Sequence, residues 1–196
     1  MEKLLNNLQI ELSKHDAKFK IVSTSHISEL KEEIHELKLR DKICEKIYAT
    51  YLSKFQYEVP DELPNANSIV VIAIPQGMSI TTFKQGTKSF DIIIPPTYVW
   101  TEARNNCKSA LENVLEETGA KIIRAMLPLK LLATRSGLGK YGRNNICYVE
   151  GMGSFARLEA FYTDYPFSTD NWQKAEMLET CVKCKSCIKN CPTQVH

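Results

Sequence analysis

Ser68-Ile-Val-Val-Ile-Ala-Ile74 is an unbroken apolar, β-branched run closed by Pro75. A run without polar alternation fits a strand buried on both faces. The segments around it alternate between helical and extended patterns. Upstream, Leu4 to His15 reads as a helix and Phe19 to Ser23 as a short strand. Ser25 is placed to cap a helix from His26 onward, with Glu29 in its first turn. Ile43, Cys44, Ile47, Tyr48, Tyr51 and Leu52 then recur at helical spacing until Pro60 and Pro64.

Downstream, Ser79 to Phe83 and Ser89 to Ile94 form two shorter strands around Gly86. Thr101 to Thr118 is amphipathic, with Ala103, Cys107, Ala110, Leu111, Val114 and Leu115 on one face and Gly119 as its C-cap. Lys121 to Met126 returns as a strand, and Leu129 to Thr134 is a short helical turn. Asn145 to Val149 and Leu158 to Tyr162 are the last strands. The class is α/β (α+β): a mixed sheet with flanking helices over residues 1–170, then a cysteine-rich module over 171–196.

The bulk numbers exclude several classes. Of 196 residues, 43 % are hydrophobic and 24 % charged, as in ordinary globular chains. No apolar run approaches the ~18–20 residues that span a bilayer, and Met1 to Asp16 lacks a signal-peptide pattern. The expected location is the cytoplasm, without a membrane. The net charge of +2 is uninformative, but its distribution is not. Residues 121–157 carry Lys121, Arg124, Lys130, Arg135, Lys140, Arg143 and Arg157 against the acid Glu150. This stretch reads either as an anion-binding surface for phosphate or RNA or as a solvated basic face.

Four of the seven cysteines crowd the C-terminal end as Cys181-Val-Lys-Cys184-Lys-Ser-Cys187-Ile-Lys-Asn-Cys191-Pro192. C-x2-C-x2-C-x3-C-P is the spacing of bacterial-type ferredoxins. Two intervening residues let a tight loop aim successive sulfurs at neighbouring irons of one [4Fe–4S] cube, while the fourth thiolate commonly crosses to a second cluster. Lys183, Lys185 and Lys189 offset the cluster's negative charge. Zinc sites usually pair two C-x2-C units across a longer gap, and no second unit exists here. A second cysteine set is expected beyond His196. The remaining thiols, Cys44, Cys107 and Cys147, read as core residues. His15, His26 and His35 read as solvent-facing, and Tyr98, Trp100 and Tyr141 as core or rim aromatics.

Gly137, Gly139 and Gly142 formally make G-x-G-x-x-G. A dinucleotide fingerprint needs a strand before the glycines and a helix after them. Here the order is reversed, which rejects a nicotinamide site.

Arg135-Ser-Gly-Leu-Gly139-Lys-Tyr-Gly142-Arg143-Asn144, Gly153-Ser154-Phe155, Tyr162-Thr163-Asp164 and the cysteine motif ending in Pro192-Thr193 follow one another in order. Together they resemble the epoxyqueuosine reductase family, a relative of the reductive dehalogenases, over about Pro128 to Thr193. The resemblance implies a nitroreductase-like cofactor domain, cobalamin, and two [4Fe–4S] clusters that feed it electrons from a donor such as a ferredoxin or flavodoxin. It implies Cys181, Cys184, Cys187 and Cys191 as cluster ligands, with Cys191 crossing to the second cluster. It implies Arg135, Gly137, Gly139, Lys140, Gly142, Arg143 and Asn144 as cofactor-binding, Lys140 and Arg143 meeting a phosphate or propionamide edge. The family carries a proton-donating Asp shortly before a Pro. Here that segment is Arg124-Ala-Met-Leu-Pro128, without an acid. The expected activity is therefore reduction of a small molecule or modified nucleoside other than epoxyqueuosine. A non-catalytic electron-transfer module and an RNA-binding protein with a structural cluster are the alternatives.

Overall fold

The computed structural model describes residues 2–94 and 102–193. Tyr98, Trp100 and the expected helix start at Thr101 lie outside the described residues.

The elements in chain order are α1 (Glu2–Ser13), β1 (Lys18–Ser23), α2 (Ile27–Leu39), α3 (Glu45–Tyr51), β2 (Ser68–Pro75), β3 (Ser79–Gln85), β4 (Lys88–Ile94) and α4 (Glu102–Glu116). They continue with β5 (Ile122–Arg124), α5 (Leu129–Arg135), β6 (Lys140–Tyr141), β7 (Cys147–Tyr148), β8 (Ala156–Thr163), α6 (Cys181–Cys184) and α7 (Ser186–Lys189). The main sheet has the order β1-β2-β8-β5. Its pairings are antiparallel, with Val71 opposite Ala160 and Ile69 opposite Tyr162.

Helices cover both sides of this sheet, which is why β2 carries no polar alternation. Ile69, Val71 and Ala73 point to one face, with Val22, Ala160 and Tyr162, against Ile27, Leu30 and Leu132 of α2 and α5. Val70, Ile72 and Ile74 point to the other, with Ile21 and Phe161, against Leu8 and Leu12 of α1 and Cys107 and Leu111 of α4. Burying a Val, Leu or Ile side chain contributes about 1.5–3 kcal/mol, so these two layers dominate the stability of the fold. The mixed α/β class expected from the sequence is the class observed. No helix among the described residues is long and apolar enough to cross a membrane.

Three local expectations are corrected. Ser23, not Ser25, supplies the capping oxygen before α2: its hydroxyl accepts from the Ser25 N–H at 3.2 Å, ahead of a single 3-10 turn. The chain enters α2 through that turn, and His26 at the start of α2 makes no side-chain capping bond. Cys44 is exposed at the start of α3 rather than buried, because α3 has no buried residue. His26 is not solvent-facing: its side chain is held between two carboxylates against Trp172.

Candidate functional site

The glycine segment is a helix end followed by a tight hairpin. After α5, Gly137 takes φ +70°, a value that favours glycine, and Leu138 and Gly139 both donate to the Ala133 carbonyl at 2.9 and 3.1 Å. β6 then pairs with β7, and Gly142 donates to the Ile146 carbonyl at 2.8 Å across the turn. A Cβ on Gly139 would stand 2.6 Å from the Cys147 sulfur and 2.9 Å from the Tyr148 carbonyl. One on Gly142 would meet the Tyr148 ring, and one on Gly137 the Gln173 side chain at 2.9 Å. Gly139 and Gly142 are thus required by the chain's own packing, and Gly137 by its positive φ.

The polar residues of the segment are engaged to different degrees. Arg135 donates from Nη2 to Glu29 at 2.6 Å and lies over the Trp172 ring at 4.6 Å. Lys140 pairs with Glu176 at 2.7 Å, and that hydrogen bond raises its pKa. Asn144 donates to the Tyr148 hydroxyl at 3.0 Å and accepts from the Ile146 N–H. Arg143 is exposed. The basic stretch is accordingly not one open face: buried Arg157 and exposed Arg124 both pair with Glu159, while Arg135 and Lys140 are ion-paired elsewhere.

Beside this hairpin lies a cleft of about 950 Å³ between α2, α3 and the Leu127–Leu131 segment. Tyr141 and Asn145 of the hairpin line it, together with Leu127 and Pro128. It is walled by the segment that lacks the family's acid. Burial pushes the Tyr141 phenol up to about 12, against a hydrogen bond with Thr134, so the group stays protonated at neutral pH.

A strap, residues 170–178, connects the body to the thiols. Asn171 exchanges hydrogen bonds with the Ile21 backbone at 2.8 and 3.0 Å. Trp172 stacks on His26 with centroids 4.5 Å apart and donates from its indole to Glu29 at 3.0 Å. His26 meets Glu29 at 2.6 Å and Asp170 at 2.8 Å. Gln173 donates to the Arg135 carbonyl at 2.7 Å. The Tyr141 N–H donates to the Glu176 carbonyl at 2.9 Å, and Leu178 returns a 2.7 Å bond to the Tyr141 carbonyl. Tyr141 is therefore where cleft, glycine hairpin and strap meet, and its partner Leu178 stands three residues before Cys181. Sequence reading missed the strap. Its available signal was a lone Trp172 between Asp170 and Gln173 in a stretch without periodicity.

The thiols follow on two single helical turns, α6 and α7, joined by Lys185 at φ 53°. Cys184 and Cys187 are exposed, and Cys181 and Cys191 are half-buried. The Cys184 thiol donates to the Ser186 hydroxyl at 3.3 Å, and hydrogen bonding to Ser186 holds its pKa below the ordinary value. Cys191 contacts the Thr193 hydroxyl at 3.4 Å. Among the described residues no three Cys, His, Asp or Glu side chains converge as a metal site. The donor set itself, four thiols at ferredoxin spacing on short exposed turns flanked by lysines, fits an iron–sulfur cluster.

No protein-family model matches the chain, and no curated protein is similar to it. Solved structures are. An epoxyqueuosine reductase from Bacillus subtilis, with its catalytic aspartate loop swung out of the active site, superposes with a TM-score of 0.66 at 22% identity, over 98% of this chain and 51% of that one. The Streptococcus thermophilus epoxyqueuosine reductase gives 0.65 at 18% identity, over 95% and 52%. An epoxyqueuosine reductase in complex with an epoxyqueuosine-modified tRNA-Tyr stem loop gives 0.60 at 21% identity, over 98% and 52%. The chain has the fold of these enzymes and spans about half their length.

Proposed function

We propose that the chain is the cofactor-binding part of an iron–sulfur oxidoreductase similar to epoxyqueuosine reductase. The observation that carries the reading is the strap. It ties the four-thiol arm to Tyr141, at the junction of the glycine hairpin and the cleft. Electron entry and substrate would then meet at one place.

In this reading Cys181, Cys184, Cys187 and Cys191 hold [4Fe–4S] iron, which supplies single electrons when bound. A ferredoxin or flavodoxin is the external donor. The cofactor is cobalamin, by likeness to the family. The glycines do not serve as its open cradle, since the chain's own atoms fill the space beside them. Arg143, exposed on the hairpin, and the polar Asn144 beside it are the residues to meet its edge. Arg135, Gly137, Gly139, Lys140 and Gly142 hold the hairpin and strap in shape. The substrate occupies the cleft. Leu127 and Pro128 line it where the family's acid would stand, so the reading assigns a substrate other than epoxyqueuosine. Tyr141 is the protonated group on that wall.

The test is anaerobic reconstitution with iron and sulfide, then hydroxocobalamin and gel filtration. Cluster absorbance, iron retained at about four per chain for one cube, and co-eluting cobalamin that Arg143→Ala weakens are expected. Cluster without cobalamin would favour a non-catalytic electron-transfer module. Absence of retained iron would overturn the reading.

A further inference from the structure

The cleft has a chemical signature that the redox reading does not use. Its walls are aliphatic, from Ile34 and Leu37 on α2, Ile47 on α3, and Leu127 and Leu129 opposite. Its polar groups are two ammonium groups, Lys42 and Lys130, with two phenols, one thiol and one amide residue. No carboxylate among the described residues lines it. Lys130 donates to the Asn145 carbonyl at 3.0 Å, which satisfies a hydrogen bond but leaves its charge uncompensated. No ion pair among the described residues involves Lys42 or Lys130, whereas the neighbouring Lys38 is paired with Glu45. Glu33 of α2 bears on Tyr141 electrostatically but does not line the cleft.

Lys42 and Lys130 are both exposed, two like charges lining one cleft, and Leu37 and Ile47 of the apolar wall beside them face water. A ligand that brings a negative group to the lysines and an apolar body to the aliphatic wall relieves both. Specificity follows from charge, because a cation of the same shape meets two ammonium groups and a neutral analogue leaves them unpaired. The volume of about 950 Å³ lies at the upper end of small-molecule sites.

We infer that the cleft binds amphiphilic organic anions: an apolar body with an anionic head held by Lys42 and Lys130. As a ligand class this stands on the lining alone. As the substrate class of the reductase it rests on the proposed function.

The experiment is equilibrium binding to the full chain without added iron or cobalamin, so its failure is separable from failure of the redox reading. The probes are decanoate, decanol and decyltrimethylammonium, each below its micelle concentration. Decanoate is expected to bind at least about tenfold more tightly than decanol, with the cation weakest. Lys42→Gln with Lys130→Gln should remove that advantage and leave decanol unchanged. Ile47→Glu, on the exposed wall, should abolish decanoate binding; circular dichroism confirms folding of each variant. Equal affinity for the three probes, a preference for the cation, a decanoate advantage over decanol that survives the lysine changes, or decanoate binding that survives Ile47→Glu would overturn the inference.

Discussion

Within the sheet, Glu159 is 1% exposed and accepts hydrogen bonds from Arg157, Arg104 and Arg124 at 2.8, 2.9 and 3.0 Å. In the thiol arm, residues 181–193 include no buried side chain at all. The first region carries its own solution to every charge it buries. The second consists of two four-residue helices, too short to hold themselves by backbone hydrogen bonding. Where a segment of that kind binds a metal, the binding free energy is also folding free energy. The chain therefore divides into a body stabilised from within and an arm that has no core of its own, which the proposed function assigns to metal, with the strap between them. Four perturbations, taken from strong to weak in their effect on the body, test that division.

Glu159→Ala has the largest expected effect. It leaves Arg157, which is buried, and the two flanking arginines without the carboxylate they share. Breaking such a buried network costs about 3–5 kcal/mol, measurable by urea denaturation. Burial acts to raise the Glu159 pKa, but the hydrogen bonds of Arg157 and Arg104 and the charge of Arg124 outweigh it, so the net shift is downward. A depressed carboxyl contributes stability that is present above its unfolded pKa and is lost as pH falls through its native one. The body should lose stability in acid, below the ordinary Glu range, and Glu159→Gln should flatten that slope. A variant that unfolds no more readily than wild type would remove the contrast with the arm.

Gly139→Ala comes next. Its new methyl faces the Cys147 sulfur at 2.6 Å and the Tyr148 carbonyl at 2.9 Å. Overpacking of this kind costs about 1–3 kcal/mol. Gly77→Ala is its control: nothing lies within 4 Å of the added Cβ, and no positive φ is involved. Equal thermal midpoints for the two variants would show that the hairpin yields freely and belongs with the arm.

The strap should respond more locally. His26→Ala removes contacts to Glu29 and Asp170, carboxyls that lie on the partly exposed edge of the body. The cost is about 0.5–1.5 kcal/mol at most, given that exposure. The readout is faster amide exchange at Trp172 to Leu178 with little change elsewhere. Hydrogen bonding to His26 is the largest cause lowering the Glu29 pKa; for Asp170, burial pulls upward but the bonds from His26, Trp172 and Ser23 prevail. The strap is accordingly held above the ordinary carboxyl range and loosens as pH falls through the depressed values.

What was legible in the sequence was what local spacing encodes. Ser68 to Ile74 announced a doubly buried strand, the face from Ala103 to Leu115 announced α4, and the order helix–glycines–strand excluded a nicotinamide fold. The cysteine spacing named a donor set because all of its members are near neighbours. The contacts that position the site are not local. Trp172 and Glu29 are 143 residues apart, and Arg104 and Glu159 are 55 apart. No periodicity connects them. His26 and Cys44 were misread for the same reason. A polar helical context hid the carboxylate that chain return brings to His26, and helical spacing of apolar residues around Cys44 did not reveal that α3 packs along a cleft instead of under a layer.

Cys184→Ser should have the smallest effect on the body and the largest on iron. The replacement is close in size, and the side chain it alters is exposed on α6. Surface changes of this kind stay within about ±0.5 kcal/mol, so the apo chain should unfold at the wild-type urea midpoint. Stable cluster loading should be abolished, because one iron of the cube then lacks its thiolate. The two readouts separate the two regions within one variant. Full iron and sulfide retention would sink the ligand assignment. A midpoint lowered well beyond that margin without iron present would mean that the arm packs into the body, and the division would have to be redrawn with the strap and thiols inside the core.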